Sequence, residues 1–176
     1  RYPKQSLISA LRAVPGRTSS DVLVITGGEP MLQPLIIQVL EGLVADFEAF
    51  QFETNGTQAA FIDKLRASKA DSMTTVVVSP KANQVTRGYA PLKDAVLARA
   101  DALKFVVSAD PESPHHGIPP WAFAARTYQR QPQIYVSPMA VYKRAPLSEV
   151  SSIWDDTLID REVTAANYRY AAEYAM

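Results

Sequence analysis

The residues able to do chemistry sit in short polar stretches. They are Thr26-Gly27-Gly28-Glu29, Glu53-Thr54-Asn55-Gly56, Ser79-Pro80-Lys81, Ser108 and Ser137-Pro138. Paired glycines let a backbone approach a ligand closely and present its N–H and C=O groups without interference from Cβ. Glu29 beside them offers a carboxylate to a cationic ammonium, or alternatively to the positive end of the helix that follows. Glu53 closes an otherwise apolar run, where an unpaired carboxylate is costly, so it needs a partner; a ligand hydroxyl would serve. Asn55-Gly56 is also a plain turn signal. Ser79-Pro80-Lys81 combines a hydroxyl and a cation held by a stiff proline, or else ends in a solvated loop lysine. Lys104 interrupts an apolar stretch and reads as a salt bridge or a functional cation. His115-His116 lies in the proline-rich loop 111–120, and Trp121 and Trp154 read as packing or surface aromatics.

The elements that must position these groups follow from hydrophobic periodicity. Leu7, Ile8, Leu11 and Val14 predict a helix over 4–14, ended by Pro15-Gly16. Val22–Ile25 is a continuous β-branched run, expected as a strand buried on both faces. Leu32, Leu35, Ile36, Val39, Leu40, Leu43 and Val44 predict one amphipathic helix with Pro34 in its first turn. The pattern recurs with strands at 50–54, 74–78, 102–107 and 133–136. Helices are expected around Phe61–Leu65, at 95–97, over 119–129 and after an N-cap at Asp160. Strand, loop and helix repeated about five times predict a parallel sheet with right-handed crossovers, either doubly wound or a partial (β/α) barrel. In both, a ligand lies at the carboxyl ends of the strands. The polar stretches all fall there, which predicts one shared pocket.

Composition narrows the classes. A chain of 176 residues fits one domain, over 1–176, with hydrophobic content of 47% and charged content of 20%. Lys plus Arg equals Asp plus Glu at 18 each, so no net field favours nucleic acid or an anionic membrane. No apolar run approaches the roughly 20 residues that span a bilayer, and a cytoplasmic protein is expected. Cysteine is absent, which excludes disulfides, thiol nucleophiles and thiolate metal sites within these residues; two histidines alone cannot build a three-ligand zinc site. Both ends, Arg1 and Met176, read as cut.

The succession TGGEP, FETNGT, VVSPK, LKFVV and VSPM, each closing a strand, resembles the radical S-adenosylmethionine superfamily, and within it the 7-carboxy-7-deazaguanine synthase family. The resemblance covers about residues 5–140 and continues more loosely to the terminal helix. It implies an α/β fold, a partial (β/α) barrel of the radical S-adenosylmethionine type, here truncated at its amino-terminal part. It also implies a carbon–nitrogen lyase that contracts 6-carboxy-5,6,7,8-tetrahydropterin to 7-carboxy-7-deazaguanine, as in queuosine biosynthesis. The implied cofactors are S-adenosylmethionine, a 4Fe-4S cluster on a CxxxCxxC loop, and magnesium. The implied partners are the pterin substrate, an external electron donor such as flavodoxin, and a second copy in a homodimer, with no nucleic acid and no membrane. By motif, Thr26 would contact the pterin. Gly28, Glu29, Glu53, Asn55, Ser79, Pro80, Lys81, Ser137, Pro138, Met139 and Ala140 would line the S-adenosylmethionine pocket. No metal ligand is expected in this chain, because the cluster loop would precede Arg1 and the chain as given would be inactive alone.

Two other readings stay open. A glycyl-radical activating enzyme also carries GGEP but suits the ETNGT and SPK pairing less well. A cluster-free binding protein on the same fold accords with the absence of cysteine. A doubly wound nucleotide-binding domain predicts a GxGxxG-like loop after the first strand, which this sequence lacks.

Overall fold

The computed structural model describes residues 4–143 and 158–174; Trp154 and the two chain ends lie outside them. The chain runs α1 (Lys4–Arg12), β1 (Val22–Ile25), α2 (Ile36–Glu41), β2 (Ala49–Thr54), α3 (Ala59–Arg66) and β3 (Thr74–Val78). A two-residue hairpin, β4 (Ala82–Asn83) and β5 (Gly88–Tyr89), then precedes α4 (Asp94–Leu97). The run closes with β6 (Ala102–Val107), α5 (Pro120–Ala124), β7 (Gln133–Pro138) and α6 (Arg161–Glu173). The main sheet has the order β1-β2-β3-β6-β7, and every neighbouring pair in it is parallel. The predicted alternation of strand and helix is therefore present, with β1 and β7 at the two edges.

Strand periodicity divides the sheet into two unlike faces. Phe50, Phe52, Val76, Val78, Leu103, Phe105 and Val107 are buried in one cluster with Val39, Leu40 and Leu43 of the α2 region, Ile62 and Leu65 of α3, and Val96 of α4. The other face carries Val22, Val24, Gln51, Glu53, Thr75, Lys104 and Tyr135, and much of it meets solvent. A doubly wound sheet would bury both faces. The described residues form an open five-stranded parallel sheet covered on one face, and β1 and β7 do not pair to close a barrel.

Several local expectations change. β1 is not buried on both faces: Val22 and Val24 are 52% and 47% exposed, because no described residue covers the second face of this edge strand. The single helix expected from Leu32 to Val44 divides into a 3-10 turn at Pro30–Leu32 and the shorter α2. Pro34 thus precedes α2 rather than opening it, and Leu32 and Leu35 point to solvent. The 119–129 helix is α5 followed by a 3-10 turn over Ala125–Thr127. β7 extends through Ser137 and Pro138, two residues past its expected end, because they stay in register with Val106 and Val107. At α6 the expected cap is present, with the Asp160 carboxylate accepting from the Val163 N–H at 3.1 Å.

Candidate functional site

The tips of β1, β2 and β3 meet around a cavity of about 160 Å³ lined by Thr26, Gly27, Gly28, Glu53, Thr54, Asn55, Ser79 and Lys81. Six of the twelve residues singled out from sequence (Thr26, Gly28, Glu53, Asn55, Ser79 and Lys81) share this one space. Parallel pairing is the cause: in-register strands bring their carboxyl ends to one edge, where the crossover loops leave together. An adjoining cavity of about 370 Å³ shares Asn55 and Lys81 and adds Pro80.

Gly27 and Gly28 adopt φ of +86° and +48°, a region that disfavours side chains. A Cβ built at either would meet nothing within 4 Å. The glycines therefore leave a bare backbone cradle over open space rather than a packed turn. Gly56 is glycine for another reason. Its φ is +81°, and a Cβ there would stand 2.8 Å from Val78 Cγ1 and 3.1 Å from Leu92 Cδ2. We expect Gly56→Ala to destabilise the fold by about 2 kcal/mol, from left-handed strain and overpacking together. Urea unfolding will measure it, and a shift in midpoint below a quarter of that size would contradict the assignment.

Glu29 is engaged by its own chain. Its Oε1 accepts from the Thr54 hydroxyl at 2.8 Å and from the Met31 N–H at 3.1 Å, and its Oε2 accepts from the Asn55 N–H at 2.8 Å. The carboxylate thus staples the β1 loop to the β2 loop and caps the 3-10 turn. Thr54 is buried, and its Oγ1 also accepts from the Gly56 N–H at 3.1 Å. Thr54 belongs to the polar stretch 53–56, but its sequence context assigns it no partner. The available signal was alternation, which puts Thr54 on the same buried face as Phe50 and Phe52, where a hydroxyl must find a partner.

Glu53 stands on the open face, and its partners come from β2, β6 and the loop after β1. Gln51 Nε2 donates to it at 2.9 Å, the Thr26 hydroxyl at 3.3 Å, and Lys104 Nζ lies 3.7 Å away. The carboxylate expected to need a partner has protein partners, and Lys104 is a half-exposed ion-pair cation. Lys81 lines both cavities from an exposed position.

Ser137, Pro138, Met139 and Ala140 stand at the same carboxyl edge of the sheet, beyond β6, and do not line the 160 Å³ cavity. Register places Ser137 on the open face with Lys104 and Tyr135. The His115-His116 loop is packed: His115 Nδ1 meets the Tyr89 hydroxyl at 2.9 Å, and His116 stacks on Tyr170 with centroids 5.0 Å apart. Burial pushes the Tyr89 phenol up to about 12, so it stays a neutral donor, bonded to the Val106 carbonyl. Trp121 packs on Phe105 and donates to the Tyr89 carbonyl at 3.2 Å. Among the described residues no group of three or more His, Asp or Glu side chains could hold a metal ion, and no helix is long and apolar enough to cross a membrane.

No family model and no solved structure matches the chain. Among curated proteins it is similar to a 7-carboxy-7-deazaguanine synthase of Rickettsia prowazekii (strain Madrid E), with 35% identity over 88 residues. The match takes in 50% of this chain and 33% of that relative, so the chain spans about a third of the length of the synthase it resembles.

Proposed function

We propose that this chain carries the S-adenosylmethionine-binding strand tips and the substrate-facing sheet surface of a lyase that contracts 6-carboxy-5,6,7,8-tetrahydropterin to 7-carboxy-7-deazaguanine. The observation that carries the reading is the convergence of Thr26, Gly28, Glu53, Asn55, Ser79 and Lys81 from three strand tips on one cavity. The bare glycine cradle suits close backbone contact with the methionyl group, which a side chain at position 28 would obstruct. Ser79, Pro80 and Lys81 would hold the same cofactor from β3, and Ser137 to Ala140 would face it from β7. Glu53, oriented by Gln51 and Lys104, offers a fixed acceptor to a ligand N–H or O–H. Thr26, bonded to Glu53, would sit where pterin and cofactor meet. When bound, S-adenosylmethionine supplies a sulfonium carbon–sulfur bond as the source of the reactive carbon. A 4Fe-4S cluster does not fit these residues, since none of the 176 is cysteine.

Calorimetric titration with S-adenosylmethionine, with ATP as comparator, tests the reading. Binding of the first and not the second is expected, and Gly28→Val should weaken it by about 1–3 kcal/mol through the filled cradle and the strained φ. Equal affinity in wild type and variant would remove the glycine cradle from the site.

The cysteine-free composition favours one second reading, a binding protein on the same fold without the chemistry. It predicts the same S-adenosylmethionine affinity and no in-frame cysteine triplet encoded upstream of Arg1, whereas a triplet found there by sequencing the gene would favour the lyase.

A further inference from the structure

Asn167 on α6 is a fully buried polar side chain with both ends of its amide committed to strand tips. Its Nδ2 donates to the Met139 carbonyl at 2.9 Å. Its Oδ1 accepts from the Ala109 N–H at 2.7 Å, with the Ser108 hydroxyl at 3.4 Å. One side chain thus joins the loop after β6 to the loop after β7. Thr164, three residues earlier and on the same helical face, accepts from the Val141 N–H at 3.1 Å. The Asp160 N–H donates to the Val141 carbonyl at 2.8 Å, so α6 clasps residues 139–141 at three points.

We infer that Asn167 is a positioning residue that sets the β7 loop, and with it Ser137 to Ala140, as the far wall of the S-adenosylmethionine site; the cofactor part rests on the function proposed above. No other side-chain type of this size presents a donor and an acceptor in one plane. A buried aspartate would turn a second acceptor toward the Met139 carbonyl, and leucine would leave that carbonyl and the Ala109 N–H without partners. The anchor is remote from the cavity at β1–β3, so its effect on a ligand would pass through the β7 loop.

The test compares Asn167→Asp, the milder Thr164→Val, and Ile62→Val as a core control on α3, in the full chain. Hydrogen exchange should speed up about tenfold or more at Ala109 and at Met139 to Val141 in Asn167→Asp, and less in Thr164→Val, with β2 unchanged. S-adenosylmethionine affinity, measured well below each melting temperature, should fall about tenfold in Asn167→Asp and stay at the wild-type value in Ile62→Val. Exchange that rises evenly across the sheet, or an affinity loss matched by Ile62→Val, would reduce Asn167 to a core residue and overturn the inference. If Asn167→Asp does not fold, Thr164→Val decides by the same two readouts. Wild-type protein that binds no S-adenosylmethionine would overturn the cofactor reading, and the exchange pattern would still decide the anchor.

Discussion

Glu29→Ala is expected to cost about 2–4 kcal/mol of folding stability and to remove measurable S-adenosylmethionine binding. The Glu29 carboxylate receives three donors, from Thr54, Met31 and Asn55, which belong to two different loops. Removing it leaves the buried Thr54 hydroxyl and the Asn55 N–H facing no acceptor, and an unmade bond costs more than a made one gains. The loss falls on ligand binding because Gly28 and Asn55 stand on the two loops that Glu29 joins, and both line the cavity. Glu29→Gln separates the two effects. It keeps the shape and one acceptor oxygen, so about half of the stability loss is expected, with one donor left facing an NH₂ group. Unfolding midpoints and calorimetric affinities of the pair measure this. If Glu29→Ala keeps wild-type stability but loses affinity, the carboxylate acts on the ligand directly rather than as a staple between loops.

The same residue shows what the sequence could and could not convey. Glu29 stood out as a candidate because it follows paired glycines at the end of an apolar run, but its carboxylate is spent on the two loops and does not line the cavity. Its partners were not legible, since Thr54 and Asn55 are remote in sequence and meet it only once β1 and β2 are in register. Five strands and their order of polar tips could be read from periodicity because each strand is a local signal. The open face could not. Val22-Leu23-Val24-Ile25 looks like a strand buried on both sides, and only the tertiary packing reveals that Val22 and Val24 face solvent. Likewise the spacing from Leu32 to Val44 fits one helix, but the Glu29 cap and Pro34 impose a 3-10 turn and a break first. Asn167 carries no local signal at all, because an asparagine in a helix is ordinarily a solvated one.

Arg66→Leu should cost about 3–5 kcal/mol of folding stability without altering the ligand site. The Arg66 side chain is only 10% exposed and spreads its guanidinium over two carboxylates and two carbonyls. It reaches Asp71 at 2.8 Å, Asp101 at 2.5 Å, the Arg99 carbonyl at 2.7 Å and the Thr74 carbonyl at 3.1 Å. Asp101 in turn accepts from the Val76 N–H at 2.7 Å, so the cluster ties the start of β3 to the start of β6. Leucine would leave Asp71 and Asp101 with the more exposed Arg130 in place of the buried guanidinium, and the two carbonyls without this donor. Lysine would not restore the network, because a single ammonium cannot supply a planar fork to four acceptors. Set against a typical total of about 5–15 kcal/mol, the loss brings the chain near its folding threshold. The cluster lies at the amino ends of the strands, and Thr26, Glu53 and Ser79 lie at the carboxyl ends, so S-adenosylmethionine affinity should hold at the wild-type value wherever the variant is folded. Urea unfolding and calorimetry on one preparation measure both quantities. An affinity that falls in step with the midpoint would mean that the two ends of the sheet are coupled, and that the strand tips depend on packing a full strand length away.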